Sequence, residues 1–494
     1  MKEFIVVPGC LWDGVSGAVA EDRAVLVRDG VVRRIGPKAE LVKEAPGAQL
    51  LEDADWLMLP AFVNAHDHGR GMSPVSFGTP DQALEVWLQD LNKLPAIPHY
   101  DACFYDGVRL ASAGVGTVLH SHNPNNFGDI CQEMIQAARG YRDAGVRSIL
   151  CPLYLDQNKR IYYDRDKFIE SLPEPLRTNF AAGIRDRIMT IDEYLELVER
   201  IRDGLRKEID EGWVEVQLHP NGGQWCSDEA LLRMKEYALA HGMYIHLHLL
   251  ETQYQAEYAR RTWGKSFIQH YQDIGFLGPW VSFAHAVWLD EEDLQLIAAS
   301  GAHLVTNPSS NLRLRSGAFN MRRACELGLA CGIGLDGCAF DDDQDYLREI
   351  RVAWLNNRHN GVDGGVPYLD VLKMATSRGA TEAARRLSQG VLKEGCNADF
   401  VCVSLESLTR PYTDPGLDPL AMLVQRGTRA SVRMTFVNGE QSWGAGEAFS
   451  GKEKAAEERI CASIRKLRAA DPGKRDNEPL LSRVHDFYAA SLRK

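Results

Sequence analysis

The sequence contains no Cys-x-x-Cys pair, no run of 18 apolar residues and no excess of basic charge. Its 11 cysteines, among them Cys10, Cys151, Cys226, Cys338 and Cys461, are odd in number and scattered. That pattern fits free core thiols in a reducing compartment, not a disulfide framework or a zinc ribbon. Without a long apolar run there is no transmembrane helix to assign. The opening "MKEFIVVPGCLWDG" is too short in apolar residues, and too acidic, for a signal peptide, so a cytoplasmic location is expected. A formal charge of −12, from 56 basic and 68 acidic residues, disfavours phosphate backbones and anionic lipid; neither nucleic acid nor membrane is an expected partner. Neither His-x-Glu nor Pro-Cys-x-x-Cys occurs, which excludes the zinc deaminases that act on bases within nucleic acids.

With 494 residues, 45% of them hydrophobic, the chain can bury one large core or two moderate ones. Residues 1–57 alternate short apolar runs with turns ("AVLVRDGVVRRIG"), the pattern of a small antiparallel sheet. Eight β-rich runs follow: "MLPAFVNAH", "VGTVLHSH", "VRSILCPLYL", "WVEVQLHP", "MYIHLHLLE", "WVSFAHAVWL", "AHLVTNPSS" and "CGIGLDGC". Amphipathic helical patterns such as "DEYLELVERIRDGLRKEID" and "DEALLRMKEYALAHG" separate most of them. This alternation predicts an α/β fold, a (β/α)8 TIM barrel over 58–390. A second strand-rich patch ("ADFVCVSL", "SVRMTFVNGE") predicts that segments 1–57 and 391–445 form a composite β-sandwich from both ends of the chain. The remainder, 446–494, reads as a C-terminal helical extension.

Chemistry-bearing residues collect at strand ends. Residues i and i+2 of a strand face the same way, so His66 and His68 of "VNAHDHGRG" turn together toward the barrel mouth, where barrel active sites lie. The fifth run supplies His248 and then Glu251, the sixth His285, the eighth Asp336. Imidazole and carboxylate suit zinc or iron, and His66, His68, His248 and Asp336 are assigned as ligands. One divalent metal, zinc by first choice and iron by second, would bring the pKa of a water to about 7. Glu251, three residues past a ligand, is placed to shuttle the proton, and His285 to hold or polarise the water; Asp336 counts as both ligand and catalytic residue. A lone strand-end histidine is generally a hydrogen-bonded structural residue. The case rests on all of these groups belonging to one barrel.

The ordered motifs "VNAHDH", "HLHLLET", "AHAVWLD", "NPSSNLRLRSG", "GIGLDG" and "MATSRGATEAARRL…GVLKEGCNADFVCV" resemble the amidohydrolase superfamily. The likeness is to the branch of cytosine, guanine and S-adenosylhomocysteine deaminases and the triazine chlorohydrolases. It implies a barrel with a composite β-sandwich, one metal on the residues matching His66, His68, His248 and Asp336, and proton transfer and orientation by those matching Glu251 and His285. Binuclear relatives carry a carboxylated lysine at the end of strand four. No lysine occurs here from 208 to 234, so one metal is expected.

Four further residues are candidates for substrate contact. His219 stands where relatives carry His-x-Pro-Tyr, although "HPNGGQWCSDE" departs from that pattern; Glu85 and Trp87 lie in "LEVWLQDL", which resembles a mouth-lining segment; and His122 pairs with His120 on strand two. His246, one layer below His248, is assigned to the core. The stretch 155–183 between strands three and four is long enough for a lid, with Arg160, Tyr162 and Tyr163 over a substrate or packing the lid itself. The reaction expected first is hydrolytic deamination of an amino-substituted nitrogen heterocycle, a small-molecule substrate, with release of ammonia. The alternatives are loss of chloride or alkylamine from a heteroaromatic ring, or amide hydrolysis, on the same site; a metal-free scaffold ranks last. A homo-oligomer, dimer or larger, is the expected assembly.

Overall fold

A computed structural model of the chain describes residues 3–158, 160–184, 188–337, 342–358, 362, 364–383 and 389–492. Each of the eight apolar runs forms a strand: Phe62–Asp67, Val115–Ser121, Arg147–Cys151, Val214–Val216, Ile245–Leu249, Val281–His285, His303–Thr306 and Cys331–Ile333. All neighbours pair in parallel, in the spatial order four-three-two-one-eight-seven-six-five. The ring closes between strands four and five through the parallel bridge Leu218–Ile245, backed by the amide of His246 donating to the carbonyl of Leu218 at 2.9 Å. Strands buried on both faces need continuous apolar runs, which is why these segments lack alternation.

Helices start where the sequence supplies caps. Thr190 and Glu193 form a reciprocal capping box at the head of the helix Ile191–Gly204, and the Ser227 hydroxyl accepts from the Ala230 amide to start Asp228–His241, which ends at Gly242 in the left-handed region. Strands one and eight meet through a close approach: a Cβ on Gly334 would lie 2.4 Å from Asn307 Oδ1 and 2.7 Å from the His66 carbonyl oxygen. The glycine of "GIGLDG" therefore brings strand eight against the metal-ligand strand, with no nucleotide involved.

The N-terminal strands differ from the expected antiparallel sheet in one pairing. Glu3–Leu11 pairs antiparallel with Ala24–Arg28 but parallel with Gln49–Pro60, because the crossover helix Lys38–Glu44 returns the chain in the same direction. Gln49–Pro60 then pairs with Phe400–Ser404, which pairs with Val432–Val437, so hydrogen bonds join both ends of the chain in one continuous sheet. That sheet folds back on itself: Phe4 at one end of the long strand and Phe436 near the other have ring centroids 5.2 Å apart.

The tail forms two helices, Glu447–Ala470 and Glu478–Ser491. The second packs on the segment between strands three and four, where Tyr162, Tyr163 and Phe168 meet Tyr488 and Phe487 edge to face with ring centroids 5.2–5.8 Å apart. Tyr162 and Tyr163 are thus buried in the seam between lid and tail, and Arg160 lies over the Phe180 ring. Among the described cysteines none is paired, and seven are buried; Cys338 lies outside the described residues. No helix among the described residues is long and apolar enough to cross a membrane.

Arg147, at the start of strand three, is fully buried. Its guanidinium donates to Asp399 Oδ2 at 2.6 Å, to the Gly212 carbonyl at 2.7 Å and to Asn438 Oδ1, tying barrel to sheet. Replacing Arg147 by Met would strand a buried carboxylate, and a loss of about 3–5 kcal/mol is expected. The measurement is the urea midpoint; an unchanged midpoint would show the pair to be dispensable.

Candidate active site

Strand ends one, five, six and eight deliver His66 and His68, His248, His285 and Asp336 to one buried point. The ligand atoms of His66, His68, His248 and Asp336 all lie within 4.8 Å of one another. Asp336 Oδ1 is 3.2 Å from His66 Nε2 and 2.9 Å from His68 Nε2, and His248 Nε2 is 3.4 Å from His68 Nε2. Donor atoms bound at 2.0–2.1 Å in a tetrahedron are about 3.3 Å apart, so the cluster has the dimensions of a coordination shell.

The other ring nitrogens are all occupied. His66 Nδ1 is 2.8 Å from His246 Nε2, whose Nδ1 is 2.7 Å from Ser282 Oγ. His68 Nδ1 is 2.8 Å from the Ser121 carbonyl, His248 Nδ1 meets the Asn221 carbonyl, and His285 Nδ1 is 2.9 Å from Asn311 Oδ1. Acceptors at Nδ1 hold the proton there and leave each Nε2 lone pair facing the centre. His66 Nε2 and His285 Nε2 are buried without any hydrogen-bond partner. Two unsatisfied imidazole nitrogens, two more Nε2 atoms and a carboxylate around one point fit a divalent cation.

Backbone strain accompanies this convergence. His285 has φ of 72° and Asp336 φ of 57°, both in the left-handed region that non-glycine residues avoid. The turn points both side chains into the centre as their strands end, and the Asp336 amide donates to the His66 carbonyl at 2.9 Å to hold it.

The two carboxylates are driven apart. Burial raises Glu251 well above the usual carboxylate range, and the charges of Asp336 and Glu85 push it further. Burial acts on Asp336 in the same sense, but the imidazoles of His66 and His68 outweigh it and hold the group well below its ordinary value. Burial pushes His285 down to about 4 against the pull of Asp336, so it is a neutral imidazole. Glu251 Oε2 lies 3.6 Å from His285 Nε2, and Asp336 Oδ2 accepts from Ser310 Oγ at 2.5 Å. Two neighbouring carboxyl groups, one tending to hold a proton and one to stay ionised, are a general acid–base arrangement.

A cavity of about 70 Å³ opens on this centre, lined by Trp87, Trp225, Arg70, Asn123 and Asn221 together with the histidines, Glu251 and Asp336. It shares His68, Arg70, Leu91 and Asn123 with a side cavity of about 460 Å³. Of the four residues expected at substrate, the structure brings only Trp87 to this wall. His219 is fully buried with both ring nitrogens engaged, Nδ1 2.6 Å from the His246 carbonyl and Nε2 2.7 Å from Ser121 Oγ. Glu85 accepts from Thr252 Oγ1, is raised to about 7 by burial, and lines a separate cavity of about 240 Å³. His122 turns to Glu133 at 3.1 Å. Sequence reasoning missed Arg70, Asn123, Asn221, Trp225 and the role of His246; "HDHGRG" did carry the signal of a cation two residues past a ligand, and here Arg70 lies over the Trp87 ring at 5.4 Å.

A sequence profile described as the amidohydrolase family matches residues 57–441. The chain belongs to the amidohydrolase family. It is 28% identical over 427 residues to 5-methylthioadenosine/S-adenosylhomocysteine deaminase of Pyrococcus furiosus, covering 84% of this chain and 89% of that protein. It is 33% identical over 422 residues to 5'-deoxyadenosine deaminase of Methanosarcina acetivorans, covering 84% and 87%. The crystal structure of an adenosine deaminase from Xanthomonas campestris with bound zinc superposes with a TM-score of 0.75 at 22% identity, covering 93% of this chain and 99% of that one. As an amidohydrolase the protein has a TIM-barrel-like α/β fold and is a hydrolytic enzyme of C–N bonds.

His246 Nε2 supports His66 Nδ1 from outside the cluster, and if His66 binds a metal, His246→Ala is expected to weaken metal affinity by about 10–100-fold with the fold intact. Competition against a chelator measures it; wild-type affinity would mean His66 needs no such partner.

Proposed function

We propose that this amidohydrolase is a zinc-dependent hydrolytic deaminase of an aminated nitrogen heterocycle of the adenine type. The observation that carries this reading is the Nε2 convergence of His66, His68, His248 and His285 on Asp336, with Glu251 beside it. In this reading His66, His68, His248 and Asp336 hold one metal ion, which when bound supplies Lewis acidity and a water acidic enough to ionise near neutral pH. The absence of a lysine from 208 to 234 supports a single-ion catalytic centre.

The protein's own groups then handle protons and orientation. Glu251 takes one proton of the attacking water and delivers it to a ring nitrogen, then takes the second from the hydroxyl of the tetrahedral carbon and delivers it to the departing amine, so that ammonia leaves as a neutral molecule. His285 directs its unpartnered Nε2 at the water or the developing hydroxyl. Trp87 and Trp225 flank the reacting ring, and Arg70 and Asn123 stand where the small cavity meets the large one. The larger cavity gives room for a substituent on the ring, in line with the nucleoside-type names of the relatives. The division of the chain into barrel, two-ended β module and helical extension is part of the same proposal, as is His219 serving as a buried positioning residue.

Two measurements test it. Glu251→Gln is expected to keep its metal and lose about 10²-fold or more in kcat, whereas Asp336→Ala is expected to lose metal and activity together. If Glu251→Gln also loses metal, the carboxylate is a ligand and the division of roles is wrong. With the metal-loaded enzyme, ammonia release is expected from at least one aminated purine in a panel that adds pterins, pyrimidines and triazines. Silence on that panel, with turnover of a chlorinated ring or a cyclic amide, would overturn the deaminase reading.

A further inference from the structure

The end of strand two carries a second histidine cluster that the reaction does not use. His122, fully buried, leaves that strand on the face opposite Ser121. His99 is the first residue of the helix His99–Ser112, and Glu133 lies in the first turn of the helix Ile130–Ala144. His122 Nε2 is 3.1 Å and His99 Nε2 3.3 Å from the same carboxylate oxygen, Glu133 Oε2. The two imidazole rings lie 4.6 Å apart, and one ligand atom from each of the three residues falls within 4.8 Å of the others. These separations match those of the catalytic cluster and the donor spacing of about 3.3 Å in a tetrahedral shell.

Two features point to a cation and not simply to a hydrogen-bonded trio. His99 Nε2 is buried with no hydrogen-bond partner although it sits near Glu133 Oε2, so it is not aimed along an N–H···O line. Glu133 also meets no lysine or arginine in an ion pair among the described residues. Its oxygens receive the amides of Asn125 at 3.2 Å and Asn126 at 2.9 Å. Burial pushes His122 down to about 4, leaving a neutral ring, while Glu133 is held down to about 2, burial opposing and the two imidazoles prevailing. The pocket thus offers one carboxylate and two imidazole nitrogens at coordination spacing, a donor set that suits a zinc-type cation. His99 and Asn125 also line the 460 Å³ cavity, so open coordination positions have solvent to fill them.

We propose that His99, His122 and Glu133 form a second divalent-cation site, separate from the catalytic centre and selective for first-row metals of the zinc type. The ion would pin the loop after strand two between two helices. That loop includes Asn123, whose amide lies 2.8 Å from His68 Nδ1. The site stands independently of the deaminase reading.

The test counts metal. Full-length protein is stripped with chelator, equilibrated with micromolar Zn2+ alone and analysed by elemental mass spectrometry. Wild type is expected to bind two zinc ions per chain, His99→Ala one, Asp336→Ala one and the double variant none. His99→Ala removes a side chain whose Nε2 has no hydrogen-bond partner, and a matching thermal melt checks its fold. Wild type saturating at one ion that Asp336→Ala abolishes overturns the second site and leaves the catalytic one standing. So does a His99→Ala protein that still binds two. Conversely, one ion lost in His99→Ala and unaffected by Asp336→Ala overturns the catalytic assignment and leaves the second site standing.

Discussion

Crowding four neutral imidazoles and two carboxylates into a dry centre is unfavourable on its own, and most of the barrel mouth can be understood as what holds them there. Burial lowers the pKa of His66, His68, His248 and His285 and raises that of Glu251, so in free energy each group would rather be in water. The chain counters this with fixed partners at every Nδ1, drawn from carbonyls of Ser121 and Asn221 and side chains of His246 and Asn311. Those partners sit on regular elements or just past them: Ser121 ends strand two, His246 lies within strand five, Asn221 follows strand four and Asn311 lies in the helix Pro308–Arg313. The left-handed backbone at His285 and Asp336 adds a local cost that only a closed barrel can sustain. A site arranged this way is preorganised for a charge it does not itself contain.

What could be read from the sequence follows from which of these features have a period. The i, i+2 rule turns His66 and His68 together, and eight apolar runs separated by amphipathic helices are a strong signal, so strands and ligand candidates were both legible. The supporting contacts were not. The carbonyl of Asn221 or Ser121 has no sequence signature, since every residue carries one. His246 has the parity of His248 and looked like core; only the 2.8 Å contact to His66 shows that it supports that ring. His219 illustrates the reverse: a histidine beside a strand end reads as functional until both its nitrogens are found occupied. Parallel pairing of Glu3–Leu11 with Gln49–Pro60 was hidden because alternation reveals a half-buried strand, not its direction.

The tail braces the segments around the barrel mouth in a way that a charged amphipathic pattern does not announce. Tyr488 fills the seam between Tyr162, Tyr163 and Tyr254, and its hydroxyl accepts the Tyr162 amide at 3.2 Å. Asn477, just before that helix, donates to Asp90 Oδ1 at 2.7 Å on the segment that carries Trp87. Residues far apart in the chain therefore fix both the segment that holds Tyr162 and the helix that carries Trp87. Buried aromatic contacts of this kind make the segment between strands three and four one packed seam with the tail.

The end of strand two shows how one short segment can serve two centres. Successive residues of a strand face opposite ways, so the side chains of Ser121 and His122 point to different surroundings. Ser121 gives its carbonyl to His68 and its hydroxyl to His219, both on the catalytic side, while His122 faces Glu133. Asn123 returns to the catalytic side, its amide 2.8 Å from His68 Nδ1. The same Glu133 carboxylate receives the amides of Asn125 and Asn126, so whatever fixes Glu133 also fixes the loop that reaches His68. The backbone of Ser121 and His122 is hydrogen-bonded to strand three, Ser121 pairing with Cys151 and the amide of His122 donating to its carbonyl at 3.0 Å. The two faces of this segment thus hang on the same backbone pairing with strand three, which fixes their positions relative to one another.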